Sequence, residues 1–159
     1  KKRSDSITLN LGEVVIIEGL HALNPLIYSS FVSENSVYKI YLKAESPDYD
    51  AKLLRRLVRD SYFRGADAEM TFSMWDSVKN GEKKYIVPFE KDANKVVKTF
   101  FEYEKCIFSA RATELLSKIK SGTQYSEKAR ELTEMLAYTE KIGYENIPKN
   151  SLMWEFVKL

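Results

Sequence analysis

Leu53-Leu54-Arg55-Arg56-Leu57-Val58-Arg59-Asp60-Ser61-Tyr62-Phe63-Arg64-Gly65 decides how the rest of the chain is read. At about 100° per residue, a helix through this stretch gathers Lys52, Arg55, Arg56, Arg59 and Phe63 on one arc. Leu53, Leu54, Leu57 and Val58 fall on another, which predicts an amphipathic helix with its apolar side on a core. Cations at i, i+3 and i+4 repel one another by a few tenths of a kcal/mol per pair. An anion seated against the stripe offsets that repulsion, and phosphate suits it because it accepts forked arginine hydrogen bonds. A solvated basic face is the competing reading, and Asp60, four residues after Arg56, supplies part of a purely structural explanation.

Outward from this helix, strands and helices alternate. Ile7 to Leu11 alternates apolar and polar residues, as a short strand does. Val14-Val15-Ile16-Ile17, bounded by Gly12-Glu13 and Glu18-Gly19, is a β-branched run that predicts a central strand buried on both faces. A short helix is expected over 26–32 and a further strand over 37–42. Ser46-Pro47-Asp48 supplies the start of the basic helix, and Gly65 its end. Beyond it, the patterns predict a short helix over 67–75 and an irregular segment over 76–88 around Asn80-Gly81. A strand over 93–99 follows, with lysines that favour an edge. Helices over 103–119 and 126–142, the second capped at Ser126, make a C-terminal helical hairpin. The expected fold is α/β: a parallel sheet with flanking helices, a lid segment over about 46–90, and the hairpin over about 103–142, all in a single domain, 1–159.

The bulk numbers exclude several classes. A chain of 159 residues with 44% hydrophobic and 30% charged residues is large and apolar enough to bury a core, which argues against disorder. Its net charge of +2 provides no global field, so any basic function is local. No run of 18 apolar residues occurs, so no membrane-spanning helix is expected, and there is no signal-peptide h-region. The single cysteine, Cys106, rules out an internal disulfide framework and fits a reducing compartment, so a cytoplasmic location is expected. Cys106 itself reads as a small core residue. The chain opens Lys1-Lys2-Arg3 without methionine, which predicts a fragment of a longer protein or a processed product.

Among chemistry-bearing residues, Glu18 closes a predicted strand, where ligands of open α/β sheets gather. A carboxylate there suits hydrated Mg²⁺; a solvent-exposed strand-end acid is the plain alternative. His21, the sole histidine, follows three residues later. With one histidine and one cysteine, zinc chemistry is not expected. Tyr62 and Phe63 among arginines also allow base stacking, but the charge balance and the lack of nucleic-acid motifs argue against an RNA partner. A phosphate-cradling G-x-x-x-x-G-K-[ST] loop is absent: the six glycines at 12, 19, 65, 81, 122 and 143 are never followed by lysine.

Three segments carry a resemblance together: Val-Val-Ile-Ile-Glu-Gly-Leu-His-Ala-Leu-Asn-Pro (14–25), the arginine helix (53–65) and Trp-Asp-Ser-Val-Lys-Asn-Gly-Glu-Lys-Lys-Tyr-Ile-Val-Pro-Phe (75–89). Their order and spacing resemble the uridine kinase/phosphoribulokinase family of P-loop kinases, in particular its bacterial nucleoside-kinase branch, and Ile147 to Phe156 resembles that branch's ending. The likeness is to the C-terminal part of such an enzyme, without the P-loop strand, the nucleoside-binding segment and the proton-accepting acid. It implies transfer of the ATP γ-phosphoryl group to a nucleoside 5′-hydroxyl, with ATP and Mg²⁺ required. It further implies that Glu18 helps place Mg²⁺ and that Arg55, Arg59 and Arg64 are lid arginines over the ATP phosphates. Lys52 takes a place where relatives commonly carry arginine, and Arg56, Arg3 and His21 lie toward nucleotide or substrate. A homo-oligomer is compatible with this reading, with the hairpin either a dimer surface or packed on the sheet. A non-catalytic phosphate-binding or partner-docking module remains the alternative.

Overall fold

The computed structural model describes residues 7–158. Among these residues five α-helices and two strands follow in order, with four short 3-10 helices besides: α1 (Pro25–Tyr28), β1 (Ile40–Lys43), α2 (Ala51–Phe63), α3 (Ala68–Tyr85), β2 (Lys95–Lys98), α4 (Glu104–Leu116) and α5 (Ser126–Ala137). The fold is α/β. Among the described residues the sheet has two strands, β1 and β2, paired in parallel with Tyr41 opposite Val96 and Leu42 opposite Val97. The ladder is closed at its ends by Lys95 N–H donating to Lys39 O at 3.1 Å and Thr99 N–H to Lys43 O at 2.9 Å.

The core lies among the helices rather than on the sheet. Leu53, Leu54, Leu57 and Val58 of α2 are almost wholly buried against Phe72 and Trp75 of α3 and Ile107, Phe108, Ala112 and Leu115 of α4. Leu132 and Leu136 of α5 extend this cluster, and Met153, Phe156 and Val157 close it, with the Phe156 ring edge-on to Phe108 at 6.0 Å. The hairpin therefore packs on α2, through α4, and the apolar arc predicted for 53–58 is the one buried.

Several boundaries differ from the sequence expectation, each for a physical reason. The cap of α2 is Asp50 rather than the Ser46–Asp48 turn. One Asp50 carboxylate oxygen accepts Leu53 N–H at 3.1 Å and the other accepts Trp75 Nε1–H at 3.2 Å, so the cap also ties α2 to α3. Helix α3 runs through Asn80-Gly81, where a turn was expected. Asp67 caps it through Met70 N–H at 2.8 Å, half-buried Val78 packs on the core, and Lys83 and Lys84 in the last turn complement the helix dipole. Helix α5 ends at Ala137, short of 142, and Tyr125 rather than Ser126 occupies its cap position. Cys106 is half-buried rather than fully within the core.

The largest correction concerns 7–24. The strands expected over 7–11 and 14–17 are absent from the described structure, which has turns at 11–12 and 19–23 and otherwise irregular backbone. Val14 and Ile16 are 82% and 89% exposed, where a central strand would be buried. A β-branched run becomes a strand only against a neighbour that takes its hydrogen bonds, and β1 is paired to β2 alone.

Candidate functional site

Helix α2 carries its cations to two different places. Arg55 points inward. Its Nε–H donates to Glu104 Oε2 at 2.7 Å and its Nη2 to Glu104 Oε1 at 2.5 Å, with a further Nη2 bond to Thr99 O. The guanidinium also lies 5.1 Å from the Phe156 ring centroid. Both partners are buried, Glu104 completely, and the same carboxylate accepts Phe101 N–H at 2.7 Å. This forked pair locks α2 to the start of α4 and uses the donors a phosphate would need.

The last turn of α2 is different. Asp60, 1% exposed, sits amid three guanidinium groups. Its Oδ1 accepts Arg59 Nε–H and Nη2–H at 3.2 Å and lies 3.3 Å from Arg64 Nη1, while Arg56 Nε is 3.2 Å from Oδ2. That last contact is an ion pair without hydrogen-bond alignment, so Arg56 Nε and Asp60 Oδ2 are both buried without a hydrogen-bond partner. The backbone ends the helix at the same residue: Asp60 O accepts Arg64 N–H at 3.0 Å and Ala66 N–H at 3.1 Å. Gly65 allows this closure because its φ of 63° lies in the left-handed region. Three cations around one carboxylate leave a local surplus of positive charge. The Arg64 side chain, 55% exposed, and that of Arg59, 32% exposed, bring it to solvent.

The surrounding elements hold this turn. Arg111 of α4 donates from Nε to Ser61 Oγ at 3.2 Å and stacks 5.0 Å from the Tyr62 ring centroid. Tyr62 and Tyr144 share a hydrogen bond between hydroxyls at 2.9 Å. Burial first, and this bond second, push the Tyr144 hydroxyl pKa up. Tyr62 is thereby engaged on ring and hydroxyl, which leaves Phe63 as the exposed aromatic among the arginines.

The other expected site residues are scattered. Lys52 pairs with Glu82 and lines an open cleft of ≈ 260 Å³ at the carboxyl end of β1, together with Glu45, Ser46, Trp75 and Lys79. Glu18 and His21 are exposed on the 12–24 loop. No side-chain hydrogen bond or ion pair joins them to α2 among the described residues. Arg3 lies outside the described residues. Within those residues no group of three or more His, Cys, Asp or Glu side chains could hold a metal by itself. Glu18 fits Mg²⁺ only in the manner of a single carboxylate on a hydrated ion whose other ligands are water and phosphate. The donor set of Arg59 and Arg64, cationic and partly exposed, fits polyphosphate.

Sequence reasoning named Asp60 only as a structural partner four residues after Arg56; its burial amid three arginines had no sequence signal. Glu104 had no signal at all, because 49 positions separate it from Arg55.

The model of the phosphoribulokinase/uridine kinase family matches residues 2–104. The uridine kinase of Saccharomyces cerevisiae (strain ATCC 204508 / S288c) is 33% identical over 93 residues, a stretch that covers 58% of this chain and 17% of that enzyme. No solved structure matches the chain. The family match spans the 12–24 loop, the sheet, the arginine helix and α3, and it ends at Glu104, the buried partner of Arg55; this chain is a member of the phosphoribulokinase/uridine kinase family.

Proposed function

We propose that these residues serve an ATP-dependent nucleoside kinase that transfers the γ-phosphoryl group to the 5′-hydroxyl of a uridine-like nucleoside. The observation that carries this reading is the cluster of Arg56, Arg59 and Arg64 on Asp60, cationic in excess and open to solvent at two of its members. Phosphoryl transfer is mostly positioning and charge stabilisation, so arginines on a lid are suited to it. In this reading Arg59 and Arg64 contact the ATP phosphates, and Arg56 and Lys52 face substrate or nucleotide. Arg55, held by Glu104, anchors the lid helix instead of touching phosphate. Glu18 is the residue that would hold Mg²⁺, with His21 three residues on in the same loop. A bound Mg²⁺ would supply charge neutralisation to the phosphates there.

The 159 residues hold no glycine-rich phosphate loop, so they bind without turning over. Two measurements test this. The purified chain is expected to show no uridine phosphorylation, and detectable turnover would refute that part. In a form of this protein that carries a phosphate loop, Arg59→Ala and Arg64→Ala are each expected to lower kcat/KM by about 100-fold or more. Wild-type kinetics in both variants would overturn the lid assignment.

The exposure of Val14–Ile17 favours a second reading, in which this surface docks on a partner that supplies the phosphate loop. Light scattering that shows a soluble monomer with no bound partner counts against it.

A further inference from the structure

We infer that Asp60 is the positioning residue of the phosphate site: its buried carboxylate sets the spacing of the guanidinium groups of Arg59 and Arg64. This rests on the polyphosphate reading above and adds to it a residue that itself repels phosphate. Arg59, in the last turn of α2, and Arg64, its C-cap, reach the same oxygen, Asp60 Oδ1, at 3.2 and 3.3 Å. The Asp60 carbonyl accepts the N–H groups of Arg64 and Ala66, so one residue places the backbone of the second arginine as well as both side chains. The contacts are long for charge-assisted bonds, which usually close to about 2.7–2.9 Å. Asp60 Oδ2 has no aligned donor although Arg56 Nε is beside it. The carboxylate thus gathers the guanidinium groups without saturating them, and their remaining N–H donors stay available to an incoming anion.

Two roles for Asp60 predict opposite signs. A mere counter-ion competes with phosphate, so neutralising it tightens anion binding. A positioning residue does the reverse: neutralising it lets mutually repelling arginines separate, and binding weakens although the site gains net positive charge. We assign the second role.

Tripolyphosphate is titrated into the 159-residue chain by calorimetry, and the Nε–Hε resonance of Arg59, which donates to Asp60, is followed by NMR. Asp60→Asn is expected to weaken tripolyphosphate binding on the order of tenfold and to speed exchange of the Arg59 Nε proton. Asp60→Glu, which keeps the charge on a longer arm, is expected to recover part of the affinity. Unchanged or tighter binding in a folded D60N overturns the assignment. Should D60N fail to fold, D60E decides: weaker binding at equal charge supports positioning, and wild-type affinity overturns it. Arg59→Ala/Arg64→Ala separates the two layers. If that double variant binds as well as the parent, or the parent does not bind, the polyphosphate site is wrong. If the double variant weakens binding while the Asp60 variants do not, only the role of Asp60 fails.

Discussion

At the scale of single residues, the cations of α2 differ by what surrounds them and not by their type. Arg55 and Glu104 form a desolvated, forked pair in which each partner depends on the other. Removing one member leaves the other as a buried uncompensated charge, and Glu104→Ala is expected to destabilise the chain by about 3–5 kcal/mol in urea unfolding. A variant within 1 kcal/mol of the parent would show that water reaches this pair. On the surface, Glu114 is held below the ordinary carboxylate value of 4.5, first by its hydrogen bond from Lys118 and then by that from Arg111. A depressed carboxylate contributes stability above its unfolded value and loses it as pH falls through the folded one. Its side-chain NMR titration should therefore show a midpoint below 4.5, moving up toward that value in Lys118→Ala. The arginine stripe was readable from spacing alone. The division of these cations into an anchored Arg55 and the more exposed Arg59 and, just past the helix, Arg64 was not, since Glu104 arrives from a distant helix.

At the scale of elements, the helical periodicities were readable wherever an apolar arc met a core. Leu53–Val58 predicted the buried face of α2, and the 103–119 pattern predicted α4 to within three residues at its C-terminus. Local punctuation misled at Asn80-Gly81, where tertiary packing carries α3 through a turn-prone pair. Gly81 is not in the left-handed region, and a Cβ there meets nothing within 4 Å. Gly81→Ala should accordingly stabilise the chain by about 0.5–1 kcal/mol through helix propensity and a less flexible unfolded state. Gly65 also has open space around it but a φ of 63°. Gly65→Ala should destabilise by about 1–2 kcal/mol from backbone strain alone. Urea denaturation of the pair checks both signs, and the same sign at both sites would contradict the dihedral argument.

At the scale of the whole molecule, the sequence reading was right about an α/β chain with parallel strand pairing and helices, and wrong about the strands over 7–17. Strand propensity in Val14–Ile17 is a statement about fitting between neighbours, and a single sequence does not reveal which neighbours are within reach. Because Ile16 is exposed, Ile16→Lys should change the unfolding free energy by less than about 0.5 kcal/mol. A loss of several kcal/mol would mean that the run is buried after all. The ladder between β1 and β2 has a consequence of its own. Everything from Ala44 to Asn94 lies between its two strands, so pairing them closes a long loop, and prior formation of α2 and α3 is expected to lower that entropic cost. Amide hydrogens at Lys95 and Thr99 are then expected to exchange through a lower-energy opening than those at Leu57 and Phe108 in native-state exchange. On this expectation the helical cluster is the late-melting unit of this protein, and the parallel ribbon is the last part to zip and the first to let go.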